Sequence, residues 1–170
     1  RGLGDVYKRQ MKPNYLTILI TTLCIFFNAC HNSNTAPQLQ LADSLIDKRA
    51  DSALCILEKL SIEEISNKSA KAMYALLLTE ALDKNFKSHR NDSLILIAVD
   101  YYKDNSNNKL KTKAYYYLGR VYQDNKEYIK ATEAYLTALK TASPNQAPIL
   151  QIYNNLSLIH ISEPTRLQLI

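Results

Sequence analysis

The carboxylate pair Glu63 and Glu64 is the first place where this sequence could do chemistry, because two adjacent acids can divide general acid and general base work when their surroundings separate their pKa values. Here the pair sits in a polar stretch between apolar segments, with no pocket pattern beside it, and reads as a solvated pair. Metal binding or imidazole base catalysis needs clustered histidines, and the three present, His31, His89 and His160, are scattered. Gly119 is the only glycine between positions 11 and 155, whereas a phosphate-cradling loop needs several, so nucleotide fingerprints are excluded there. Cys24 falls in an apolar leader and Cys55 in the apolar register of Leu54 and Leu57, where it reads as a small buried hydrophobe; no intramolecular disulfide is available. No catalytic residue, metal ligand or cofactor site is nominated, and the chain reads as a binding protein, not an enzyme.

The elements that would position such residues are helices throughout. Ala114 to Lys140, AYYYLGRVYQDNKEYIKATEAYLTALK, is the clearest segment. Tyr115, Leu118, Gly119 and Tyr122 form one stripe at helical spacing, and Ala131, Ala134, Tyr135, Ala138 and Leu139 form another. Asp124 to Glu127 is the turn between them, and Ser143-Pro144-Asn145 is a stop. Gly119 is then a packing glycine: Gly119→Leu should overpack the helix pair, whereas Tyr116→Ala should leave stability near unchanged. Upstream, the pattern predicts helices over Leu39–Arg49, Ser52–Leu60 with Asp51-Ser52 as N-cap, Lys68–Asp83, and Leu94–Tyr102 capped by Asp92-Ser93. Ile149–Asn155 opens a further helix, and spacings of 33 from Ala98 to Ala131 and 41 from Leu77 to Leu118 suggest a repeat with variable inner loops.

The 114–140 segment resembles a tetratricopeptide repeat, with an aromatic before Leu118-Gly119, then Tyr122, Ala131, Tyr135, Ala138 and Pro144, the proline one residue late. The resemblance implies an all-α fold, an α-solenoid of helical hairpins. Its first-helix face would line a concave groove for peptides, which here places Lys113, Tyr116, Arg120, Gln123 and Asp124 in that groove. Chaperone-binding relatives hold a C-terminal carboxylate with Lys and Asn; Tyr116 and Arg120 stand in those places here, which argues against such a ligand.

The two ends read as foreign to the domain. Leu156–Arg166, LSLIHISEPTR, resembles a translated sequencing adapter, and Arg1–Gln10, RGLGDVYKRQ, is what the reverse complement of the same oligonucleotide encodes. The whole chain carries 21 basic and 16 acidic side chains; without Arg1, Lys8, Arg9, Lys12, Arg166, Asp5 and Glu163 these become 16 and 14, a net +2. No basic run survives, so nucleic acid is not an expected partner.

From Met11, Lys12 precedes an apolar run over Tyr15–Phe27, shorter than the ~20 residues a bilayer span needs but of the length of a signal h-region. Phe27 to Cys30, FNAC, resembles the lipobox of bacterial lipoproteins with Phe in place of the usual Leu, which implies that Cys30 is lipidated and anchors the chain in a membrane. The polar HNSNTAPQ that follows reads as a tether, and the absence of Asp and Glu between His31 and Gln40 marks neither membrane for sorting. The expected organisation is adapter over 1–10, lipoprotein signal over 11–29, tether over 30–38, helical repeats over 39–155, and adapter or unassigned sequence over 156–170. LADSL, DSAL, AVDYY and AYYYLGRVY after a lipobox resemble bacterial envelope proteins of this kind. The resemblance implies an envelope-anchored scaffold that binds protein or peptide and faces the periplasm. It alternatively implies the periplasmic sensory arm of a transcriptional regulator or signalling protein whose membrane helix and effector domain lie beyond. A glycan-binding lipoprotein would need Trp platforms, and the chain has no Trp.

Overall fold

The computed structural model describes residues 35–88, 91–143 and 148–162, so what the sequence leads one to expect of 1–34, including the signal and Cys30, of His89 and of Pro144 lies outside the described residues. Among the described residues the fold is all-α. Its helices are α1 (Thr35–Leu45), α2 (Ala50–Leu57), α3 (Lys68–Lys84), α4 (Ser93–Tyr102), α5 (Asn108–Asp124), α6 (Tyr128–Thr141) and α7 (Pro148–Ser162). None of them is long and apolar enough to cross a membrane.

Local chemistry fixes most of the boundaries. Asn67 caps α3 by accepting from Ser69 N at 2.8 Å and Ala70 N at 3.3 Å, and Asn107 caps α5 by accepting from Leu110 N at 3.2 Å. Both of these helices end in the same way. Phe86 (φ 56°) and Lys126 (φ 62°) take the left-handed conformation, Lys87 N donates to Leu82 O at 3.0 Å, and Glu127 N donates to Tyr122 O at 2.8 Å. Left-handed backbone costs a residue with a Cβ about 1–2 kcal/mol, and Phe86 recovers none of it by burial, being 99 % exposed. Phe86→Gly is therefore expected to raise stability by about 1 kcal/mol in urea denaturation; a loss of stability would show that the ring makes a contact worth more than the strain.

Several boundaries differ from the sequence reading. α1 begins at Thr35, inside the expected tether, because Pro37 falls in the first turn, where the missing N–H is no loss. It stops at Leu45 instead of reaching Arg49, since Lys48 N and Arg49 N both turn back to Leu45 O at 3.0 and 2.7 Å. α2 starts before the expected Asp51-Ser52 cap, with Arg49 in the cap position and no side-chain cap bond. Asp92 does hold the cap position of α4 but makes no side-chain cap bond. Cys55 is exposed, not buried. Ala53, Leu54 and Leu57 carry the buried stripe of α2, and at about 100° per residue Cys55 points roughly 150° from its centre. α7 continues unbroken past Asn155 into the stretch expected to be adapter, and Ile152 and Ile159 are both buried along it.

Each helix packs on the next one in the chain, and α1 on α3, α3 on α5 and α5 on α7 as well. Three apolar clusters result: Leu39, Leu57 and Leu77 represent the first, among α1 to α3. Leu76, Ile95 and Tyr117 represent the second, among α3 to α6, and Tyr135 with Ile152 the third, among α5 to α7. Tyr117, which the stripe read from sequence omits, is the buried member of the Tyr115–Tyr117 run; Tyr115 and Tyr122, expected as core, are only partly buried. α5 touches helices on several sides, so its buried surface is wider than one stripe.

Candidate functional site

Helices α1, α3, α5 and α7 share a face, and along it runs a cleft of about 710 Å³. α3 packs on both α1 and α5 and so forms its floor, with Met73, Leu76 and Leu77. The last turn of α1 contributes Asp43 and the turn after it Asp47 to one wall; the first turns of α5 contribute Lys109 and Lys113 to the other. Tyr116 and, from α7, Gln151 also line it.

Of the five residues expected in a groove, only Lys113 and Tyr116 line this cleft; Lys113, Tyr116, Arg120 and Gln123 are partly buried, and Asp124 is exposed. Lys113 Nζ lies 2.5 Å from Oε2 of Glu80, a carboxylate that is only 3 % exposed, in ion-pair range but out of hydrogen-bond alignment. Arg120 Nε donates to Asp83 Oδ1 at 2.8 Å, with Asp124 3.9 Å from the same guanidinium. Gln123 Oε1 accepts from the Tyr135 hydroxyl at 2.7 Å, and Asn155 Nδ2 donates to that hydroxyl at 3.2 Å. Tyr116 is half-buried, edge-on to Tyr117 with centroids 4.9 Å apart and 6.0 Å from Tyr135. Tyr116→Ala is therefore expected to lower stability instead of leaving it near unchanged, because the ring packs against two buried tyrosines.

Glu80, Asp83, Lys84 and Asp47, none of them among the residues expected in the groove, carry the charge network. Lys84 bridges Glu80 at 3.0 Å and Asp47 at 2.6 Å, so one chain of charges links the end of α1 through α3 to α5. Burial alone would lower the Lys84 ammonium, but the Asp47 hydrogen bond and the Glu80 charge outweigh it and hold the pKa above the ordinary lysine value. Asp47 is correspondingly held below the usual carboxylate range, first by the Lys84 hydrogen bond. The Tyr117 hydroxyl is pushed far up by burial, with Glu80 adding to it, and stays protonated as a donor. A signal for these pairs does exist in the sequence: Asp47 with Lys84 and Asp83 with Arg120 are opposite charges 37 residues apart, close to the repeat interval.

Elsewhere, Glu63 is fully exposed and its pKa is lowered, chiefly by the Ser61 hydrogen bond, the opposite of what a proton donor at neutral pH requires. His160 is exposed on α7. Among the described residues no group of three or more His, Cys, Asp or Glu is placed to hold a metal ion. The cleft thus joins apolar Met73, Leu76 and Leu77, the charged side chains of α3, acidic and basic residues on its two sides, and the rings of Tyr116 and Tyr117.

Fold and site together define an all-α array of packed helices with a cleft along one shared face. Comparison with protein-family models, with curated proteins and with solved structures finds no match to the chain.

Proposed function

We propose that this chain is an envelope lipoprotein, anchored through Cys30, whose tetratricopeptide-like hairpins form an α-solenoid and hold a protein or peptide partner in the cleft between their first helices. The observation that carries the reading is the cleft itself: it lies on the face common to α1, α3, α5 and α7, where a repeat array would present a continuous groove. Two further features support a repeated unit. Alternate helices pack on one another along the chain, and α3 and α5 end in the same Asn followed by a left-handed residue, Asn85-Phe86 and Asn125-Lys126.

The anchor is supported by the export pattern of 11–30, with its apolar run ending at FNAC. Cys30→Ser is expected to move the protein from the membrane to the soluble envelope fraction and to abolish incorporation of labelled fatty acid. Continued membrane association of that variant would contradict the lipid anchor.

A further inference from the structure

The cleft walls differ in sign. On the α1 side Asp43 is exposed, and Asp47, although bonded to Lys84, keeps a side chain 83 % exposed. On the α5 side Lys109 is exposed and Lys113 lies one helical turn further along the same face. Among the described residues neither Asp43 nor Lys109 has an ion-pair partner, so each wall keeps at least one uncommitted charge. The walls are close enough for their fields to overlap, since Lys113 and Lys109 both act on Asp47. Between them α3 presents a mixed floor: Met73 is its part-exposed apolar residue, with Leu76 and Leu77 almost fully buried beneath, and Glu80, already paired with Lys84 and Lys113, lies beside it.

From this we infer that the cleft's ligand is an extended peptide segment with a basic and an acidic side chain flanking apolar ones, the basic group received by Asp43 and Asp47 and the acidic group by Lys109 and Lys113. The inference rests on the cleft being a peptide site and adds the ligand's charge pattern. Neighbouring helices lie about 8–10 Å apart, which puts α1 and α5 some 16–20 Å apart across α3. Side chains reach inward from both walls, which leaves roughly 10 Å for the ligand to span, or about three residues at ~3.4 Å each. The two opposite charges therefore belong about three positions apart, with two apolar residues between them, one turned toward the floor and the other away from it. Chain direction is left free, because the reversed sequence running the opposite way presents the same charges to the same walls.

Fluorescence anisotropy on the full chain tests this with four labelled peptides sharing a Gly-Ser flank: Lys-Leu-Leu-Glu, Lys-Leu-Leu-Lys, Glu-Leu-Leu-Glu and Gln-Leu-Leu-Gln. The Lys/Glu peptide is expected to bind about tenfold more tightly than the Gln/Gln peptide at low salt, with the advantage shrinking as salt rises. Lys109→Glu should transfer the preference to the Lys/Lys peptide, and Asp43→Lys to the Glu/Glu peptide; both positions are exposed, and circular dichroism verifies the fold of each variant. Equal binding of all four peptides, or no transfer of preference in the variants, overturns the charge pattern while leaving the cleft as a peptide site. Binding by none of them, at concentrations up to the millimolar range, overturns the peptide site itself.

Discussion

Gly119→Leu is expected to destabilise the domain by about 3 kcal/mol, near the top of the usual range for overpacking a core. A Cβ placed on Gly119 would lie 2.5 Å from Cδ1 and 2.9 Å from Cζ of Tyr135, well inside contact distance. The ring cannot step aside at low cost. It is fully buried, and its hydroxyl is held from both sides by Gln123 and Asn155. One effect works in the opposite direction, since glycine inside a helix costs about 1 kcal/mol relative to alanine, and any replacement recovers part of that. The clash wins because even the first added carbon already collides, and leucine adds three more. Urea denaturation of Gly119→Ala and Gly119→Leu should show stability falling in that order; a stabilised Gly119→Ala would mean that α5 and α6 are not in close contact at this point.

The second large effect is expected at the buried carboxylate. Lys113→Met should cost about 2–3 kcal/mol, because it leaves Glu80 with Lys84 alone as a cationic partner. Breaking a buried pair costs about 3–5 kcal/mol when both members are enclosed, and the figure is reduced here because the Lys113 side chain is 24 % exposed. The double variant Glu80→Leu with Lys113→Met should return to within about 1 kcal/mol of the parent, since apolar replacement of both members removes the desolvation cost along with the attraction. A denaturation double-mutant cycle checks both expectations. Additive losses, with the double variant worse than either single one, would show that Glu80 and Lys113 do not act as a pair.

How far the fold was legible depended on whether a residue's environment is set by its neighbours in sequence or by another helix. The α5–α6 hairpin was legible because its signals are local: small residues at helical spacing, a polar four-residue turn, and a glycine whose lack of Cβ has one obvious use. The order of burial within Tyr115–Tyr117 was not, because three identical residues are ranked only by what packs on each, and Tyr117 is chosen by its position against α3. Cys55 was misplaced for a related reason, since an apolar neighbour in sequence is not a neighbour on the helix surface. The left-handed ends at Phe86 and Lys126 gave no signal because neither is the glycine or asparagine that usually marks that backbone.

The site divided along the same line. The α5 face bearing Lys113, Tyr116 and Arg120 was expected to be a groove face from the tetratricopeptide resemblance, and the partners of these residues were not legible, because Glu80 and Asp83 lie on a different helix and engage two of the three. A cleft is a property of several helices at once. Met73, Leu76 and Leu77 look like ordinary core residues in the sequence, and only the placement of α3 between α1 and α5 makes them a floor.

The most direct test of the account is photocrosslinking in the envelope of a bacterial host that carries the partner. A photoreactive residue is placed at Met73 or Leu110 in the cleft, and at Ile129 or Leu136, which are exposed on α6 outside it. Adducts are expected from Met73 and Leu110 that mass spectrometry maps to one segment of a single partner, with none from Ile129 or Leu136. Adducts from the α6 positions with none from the cleft would contradict it.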